Sequence, residues 1–169
     1  SVFYHPVRKM TIMVYVDDIG TVSLRHDAEW FYAKLAARFK VKPAVWALPG
    51  GSPVDYLGMS VSADLGGHIY LSMEQYCANM FHVLFPNATV GDHLARKRDR
   101  VNVPMVRPID EDSPGLNEDE ASFFRKALGM CGWVCMTLRY DACLAFSRVG
   151  QFAAAPNQSA LQAVTHLVH

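Results

Sequence analysis

The sequence predicts an α+β fold, in which palm-type antiparallel β-hairpins with packed helices come first and a helical thumb and connection segment follows. In the first 72 residues, β-rich apolar runs are separated by turn residues, with one helical pattern between them. From residue 73 onward, apolar residues recur at helical spacing, with a long polar segment in between. Strands grouped before helices are typical of α+β proteins. We therefore divide the chain into residues 1–72, 73–116 and 117–169.

The first hairpin is predicted from a nearly continuous apolar run at residues 11–16 and an alternating run at residues 21–24. A continuous apolar run is typical of a strand buried on both faces. The residues between the two runs favour a turn, and they begin with Asp17 and Asp18. The sequence thus predicts a hairpin whose tip presents two adjacent carboxylates.

A helix, capped by Asp27 and ending before Pro43, is predicted to follow the first hairpin. Its apolar residues are Ala28, Phe31, Leu35 and Phe39. A second hairpin is expected from strands at residues 55–62 and 68–72, whose connection contains two adjacent glycines.

Four helices are predicted in the second half. Residues 72–75 have the form of a capping box, and the helix that they open is ended by Pro86. Three more helices are expected to start at the caps Asn117, Asp141 and Asn157. The first of the three contains two glycines that would let a neighbour pack closely, Gly129 and Gly132. Residues 87–115 are interpreted as a long loop or linker with a basic cluster, formed by Arg96, Lys97, Arg98 and Arg100.

The composition narrows the class of protein. Of the 169 residues, 51% are hydrophobic and 19% are charged, a balance that excludes a disordered tail. The net charge of zero gives no general attraction to nucleic acid, so such binding would need a local patch or a bound metal. The four cysteines are interpreted as reduced core thiols, and no apolar run is long enough to span a membrane. We expect a soluble, intracellular protein.

Both ends suggest a piece of a longer protein, because the chain begins with Ser1 rather than Met and stops within an amphipathic run at His169. Side chains that take part in its chemistry are therefore expected to lie partly outside these 169 residues.

The clearest chemical signal is Tyr15-Val-Asp-Asp18 at the end of the first strand. Phosphoryl transfer with two metal ions needs carboxylates on a rigid mount, and a hairpin tip supplies one. The alternative is structural, because adjacent aspartates are common in hairpin turns. Cys131 and Cys135 are also four residues apart on a helix, but two core thiols explain them better than a metal site does.

The surrounding motifs resemble reverse transcriptases of copia-type LTR retrotransposons. Besides the Tyr-Val-Asp-Asp sequence itself, motifs similar to those of the family are Phe3-Tyr-His-Pro6, Asp55-Tyr-Leu-Gly-Met-Ser-Val61, Ile69-Tyr-Leu-Ser72 with Gln75-Tyr76, Val103-Pro-Met105, Phe124-Arg-Lys-Ala-Leu-Gly129, Leu138-Arg-Tyr-Asp141 and Ala145-Phe-Ser-Arg148 with Phe152 and Pro156. Their order and spacing make the resemblance more specific than any single motif.

The resemblance implies an RNA-directed DNA polymerase within a longer polyprotein, with palm, thumb and connection segments. It implies that Asp17 and Asp18 hold two Mg²⁺ ions and that Tyr15 lies beside the primer end. Tyr56, Leu57 and Gly58 would grip the primer, although an ordinary hairpin packed on the palm is an equal alternative. The basic cluster would contact template phosphates, or it is a solvated loop. RNA and DNA template-primer would be the partners, in a cytoplasmic particle and in the nucleus.

Several features depart from the family. Its third catalytic aspartate lies upstream of residue 1, so we expect no DNA synthesis by these 169 residues alone. Gly20 follows the aspartates early and weakens the returning strand, and Tyr140 replaces a proline. The alternative function is therefore a recruited, non-catalytic subunit of a larger protein assembly, whose helical half is a docking surface.

Overall fold

The computed structural model describes residues 1–87 and 108–168, which form two compact units, Ser1–Ser72 and Met73–His169. Within the described residues there are two three-stranded antiparallel sheets and five α-helices. The predicted α+β class is confirmed at this level. No helix in the described part of the chain is both long and apolar enough to cross a membrane.

The first sheet has its predicted apolar strand at the centre, but the strand is not buried on both faces as predicted: only Met10 is buried, and residues 11–14 are half-buried. Its strands are β1 (Val2–His5), β2 (Met10–Tyr15) and β3 (Asp18–Val22), in the order β1-β2-β3. Tyr15 pairs with Asp18, so the loop between β2 and β3 contains only Val16 and Asp17. The predicted return strand at residues 21–24 is corrected: β3 starts at Asp18 and runs through Gly20, because the tight turn lets pairing begin at once.

Helix α1 (Arg25–Ala36) follows this sheet and ends before Pro43, as predicted. The prediction that Asp27 caps it is wrong, since the N-cap is Leu24 and Asp27 lies in the first turn. Its carboxylate is buried and forms an ion pair with Arg8, from the turn between β1 and β2. The side chain thus joins helix to sheet instead of capping the helix.

The second sheet contains one more hairpin than the sequence predicted. Its strands are β4 (Val54–Tyr56), β5 (Met59–Ala63) and β6 (Ile69–Ser72), in the order β4-β5-β6. The single predicted strand at residues 55–62 is wrong, because Leu57 and Gly58 adopt φ angles of 55° and 75° and reverse the chain. The hairpin between β5 and β6 has the predicted connection, which includes Gly67 at φ 85°.

The second unit is helical in its described residues. It contains α2 (Glu74–Leu84), α3 (Glu118–Thr137), a 3-10 helix (Tyr140–Ala142), α4 (Cys143–Gly150) and α5 (Gln158–Val168). The predicted cap of α3 is confirmed, since Asn117 and Glu120 form a capping box. Asn157 Oδ1 also accepts a hydrogen bond from the backbone N–H of Ala160 at 2.8 Å, which confirms the cap of α5.

Two other predicted caps are wrong. Ser72 lies in β6, and the N-cap of α2 is Met73. Asp141 lies inside the 3-10 helix, where its carboxylate pairs with Arg139 at 2.8 Å. The helix after Ser72 thus begins one residue later than predicted, and the helix after Asp141 is preceded by a 3-10 turn that the local pattern did not indicate.

The core of the second unit is formed by the apolar faces of its helices. Its fully buried residues include Phe124, Ala127, Val149, Ala160 and Val164. Cys131 and Cys135 are buried free thiols on this face of α3, as expected of core cysteines. Of the two α3 glycines, only Gly132 admits a close neighbour, since a Cβ there would lie 2.9 Å from the Phe146 ring. Burial raises the pKa of the Cys131 thiol to about 12.

Candidate metal and nucleic-acid site

The tip of the first hairpin is a strained two-residue turn that exposes both aspartates. Two-residue hairpin loops require a positive φ, which glycine or asparagine usually supplies. Here Val16 carries it, with φ 52° and a side chain that is 85% exposed. Such a conformation costs a β-branched residue on the order of 1–2 kcal/mol. Asp17 and Asp18 are therefore held on a turn that the local sequence does not favour.

The register of the sheet determines which side chains lie beside the aspartates. Tyr15 is directly opposite Asp18, and Met13 is directly opposite Gly20. Paired residues share a face of the sheet, and so do residues two apart along a strand. Tyr15, Asp18, Met13 and Gly20 thus form one face, whereas Asp17 lies in the loop outside the ladder.

Tyr56 from the second sheet packs on this face at Gly20. A Cβ atom on Gly20 would lie 3.1 Å from Cζ and 3.2 Å from Cε2 of the Tyr56 ring, closer than ordinary packing allows. The ring therefore occupies the space of the missing side chain. Burial raises the pKa of Tyr56, and the negative charge of Asp18 and the neighbouring Tyr32 raise it further. The structure thus brings Asp18 and Tyr56 together, two residues that the sequence analysis assigned to one site.

Helix α1 also holds β3 in place, through a side chain that binds the backbone of the strand. The Tyr32 hydroxyl donates a hydrogen bond to the backbone carbonyl of Ile19 at 3.0 Å. Burial raises the pKa of Tyr32, and a hydrogen bond with Thr21 opposes this shift. The sequence analysis missed Tyr32 as a support of the hairpin, because its place on the helix gave no sign of which strand it faces. It also recorded Gly20 only as a weakness in the strand.

The remaining candidate residues are Leu57, Gly58 and the basic cluster, and the first two do not lie on the face that carries Tyr15 and Asp18. Leu57 and Gly58 form the tight turn that follows Tyr56, and the N–H of Gly58 donates to Oδ1 of Asp55 at 3.2 Å. Both residues are thus part of a hydrogen-bonded turn next to the face described above. The basic cluster lies outside the described residues, and its members are Arg96, Lys97, Arg98 and Arg100.

The chemistry of the exposed carboxylates suits a hard cation. Mg²⁺ prefers oxygen ligands, and proteins commonly hold it with one or two carboxylates together with water and substrate phosphates. Asp17 and Asp18 can supply such a pair. Within residues 1–87 and 108–168, no group of three or more His, Cys, Asp or Glu side chains is arranged to hold a metal ion. Asp17 and Asp18 would therefore hold a cation as a pair, with water and substrate oxygens as the remaining ligands.

Comparison of the chain with protein-family models, with curated proteins and with solved structures gave no match in any of the three. The function is therefore inferred from the residues of the hairpin and from the motifs around it.

Proposed function

We propose that this chain is the palm-to-connection part of a copia-type RNA-directed DNA polymerase, in which Asp17 and Asp18 bind Mg²⁺. The observation that carries the proposal is the β2–β3 hairpin, where Asp17 lies in the turn and Asp18 opens β3 opposite Tyr15. Both aspartates are exposed, so their carboxylates are accessible to a metal and a triphosphate. The order of the flanking motifs supports the same assignment.

Each residue of the hairpin has a distinct part in the proposed activity. Asp17 and Asp18 supply negatively charged oxygens at a tip that the sheet holds in place. Bound Mg²⁺ supplies activation of the primer 3′-hydroxyl and neutralisation of the leaving pyrophosphate. Tyr15 is opposite Asp18 and more than half exposed, so it offers an aromatic surface for the primer end. RNA or DNA template-primer is the expected partner.

The test is primer extension by the protein encoded in the complete reading frame, on an RNA template with a DNA primer. Asp17→Asn and Asp18→Asn should each reduce extension at least about a hundredfold, because a neutral amide holds the metal poorly. Asp119→Asn is the matched control, since it makes the same change at an exposed aspartate of α3 and should leave extension unchanged. Equal extension by the wild type and Asp17→Asn would refute the proposed role.

A second candidate function is that of a non-catalytic subunit in a protein assembly. The observation that favours it is that an edge strand of each sheet in the first unit carries exposed apolar side chains. Phe3 and Tyr4 on β1, and Ile69 and Tyr70 on β6, are all more than half exposed. An exposed edge strand with apolar side chains can pair with a strand of another chain. A photo-crosslinker at Phe3 that captures one protein in stoichiometric yield, with no primer extension by the complete protein, would favour this candidate.

A further inference from the structure

Tyr56 of the second sheet packs against Gly20 of the first sheet. The ring atoms Cζ and Cε2 of Tyr56 lie 3.1 and 3.2 Å from the position of a Cβ at Gly20, and Met13 Cε lies 3.2 Å from it. Glycine inside a strand weakens it unless another group must approach closely. The Tyr56 ring is such a group. The close approach of this ring therefore explains why residue 20 is a glycine. We call the surface of Gly20 on which the Tyr56 ring packs the seat of the ring.

The seat lies two residues from Asp18 on the same face of the sheet. The backbone between them is also fixed from α1, because the Tyr32 hydroxyl donates to the carbonyl of Ile19. Strained residues persist only where the surrounding structure constrains them. Val16, with its positive φ, needs such a constraint, and the hairpin that carries it is held by Tyr56 and by Tyr32.

We propose that Tyr56 is a positioning residue, whose ring on Gly20 holds the β2–β3 hairpin so that Asp17 and Asp18 keep one orientation. The inference rests on the proposed function, because a fixed pair of carboxylates is useful only where they bind a cation. It gives Tyr56 a different role from the primer contact that the family resemblance implies. The ring acts through the hairpin and not on the substrate.

The first experiment uses NMR on the metal-free 169-residue chain. In the wild type, the Tyr56 ring current should shift the Gly20 Hα signals away from their positions in Tyr56→Leu, and the tip should be rigid, with backbone order parameters of about 0.8 at residues 16–18. Tyr56→Phe keeps the ring and should preserve both signatures. Tyr56→Leu should abolish the shift and lower the order parameters below about 0.6.

Gly20→Ala tests the same contact from the other side. Its methyl group would crowd the Tyr56 ring at 3.1 Å, so the ring must shift and the tip should loosen, but less than in Tyr56→Leu. The double variant lacks the ring that the methyl group crowds, so it should be no looser than Tyr56→Leu alone. Unshifted Gly20 Hα signals in the wild type, or a tip that stays equally rigid in Tyr56→Leu, would overturn the inference. Because unshifted Gly20 Hα signals in the wild type would alone refute the contact, the inference can be overturned even where a variant fails to fold.

A second measurement separates this inference from the proposed function. Mn²⁺ alone, as a paramagnetic probe, should broaden the amide signals of residues 17 and 18, and Asp17→Asn should abolish the effect. Tyr56→Leu should weaken Mn²⁺ binding about tenfold, as loss of a supporting residue around a metal does, whereas Tyr56→Phe should not. Undiminished Mn²⁺ affinity in Tyr56→Leu contradicts the positioning role alone. Absence of broadening in the wild type contradicts the metal site, and the order parameters still decide the role of Tyr56.

Discussion

The ion pair between Arg8 and Asp27 should be the most important polar contact for the stability of the first unit. The Asp27 side chain is only 8% exposed, and Arg8 Nη1 donates to its Oδ1. The Arg8 guanidinium also stacks on Trp30, with 3.9 Å between its Cζ and the ring centroid. Replacing Arg8 by methionine keeps an apolar side chain of similar reach but removes the guanidinium from the buried carboxylate. His26 Nε2 stays 3.2 Å from Oδ2 of Asp27 and forms an ion pair with it only when the imidazole is protonated.

The expected loss of stability follows from this burial. Breaking a fully buried ion pair costs about 3–5 kcal/mol, because an uncompensated charge remains inside the protein. The Arg8 side chain is 31% exposed, so water can partly replace it. We therefore expect Arg8→Met to lower the free energy of unfolding of this unit by about 2–3 kcal/mol. Adding Asp27→Asn to Arg8→Met should remove most of that penalty, because the double variant has no buried carboxylate charge left without its partner.

The assay is urea unfolding followed by tryptophan fluorescence in a Trp133→Phe background, where the remaining Trp30 and Trp46 both report on the first unit. Arg25→Met is the matched control. Arg25 pairs with Glu29 at 2.9 Å, but the two side chains are 60% and 53% exposed. Its loss should cost less than about 1 kcal/mol, even with its stacking on Trp46. Equal destabilisation by the two arginine substitutions would refute the role assigned to burial.

Two further predictions concern α3 and the β5–β6 hairpin. Gly132→Ala should destabilise the second unit by about 1 kcal/mol, because its Cβ would meet the Phe146 ring at 2.9 Å. Gly129→Ala should stabilise the unit by about 0.5–1 kcal/mol, because a Cβ there meets nothing within 4 Å and alanine favours a helix more than glycine does. Urea unfolding of the two variants checks both values. Hydrogen bonds from the His68 backbone N–H and imidazole lower the pKa of Asp64. The Asp64 carboxylate therefore stabilises the hairpin fully above about pH 4, and this stabilisation is lost as the pH falls through the lowered pKa of Asp64. Carboxyl NMR titration of the wild type and His68→Ala checks this, and the variant should recover only part of the shift.

The sequence predicts the elements well where the local pattern and the tertiary contacts agree. Asn117 and Asn157 cap their helices because the cap needs only nearby backbone N–H groups. Asp27 has the same local signal, but Arg8, nineteen residues earlier in the chain, binds its carboxylate instead. The turn at Leu57 was missed because a leucine rarely adopts a positive φ. Its conformation is not visible in the residue type.

The candidate site, like the secondary structure, was predictable only where it depends on residues that are close together in the sequence. The adjacency of Asp17 and Asp18, and their place after an apolar strand, can be read directly from the sequence. The contact of Tyr56 with Gly20 cannot, since it joins two sheets through residues that are 36 positions apart. A glycine within a strand signals that some group approaches closely, but it does not say which group.

The hairpin tips also show a concentration of unfavourable backbone conformations. In the described part of the chain, Lys9, Val16 and Leu57 are the non-glycine residues with a positive φ. Lys9 lies in an ordinary turn, whereas Val16 and Leu57 lie in the two-residue loops beside Asp17 and Tyr56. Natural proteins break local rules mainly where function or a specific contact requires it. The strain at Val16 and Leu57 accompanies a specific contact of this kind, because the two loops flank the packing of Tyr56 on Gly20.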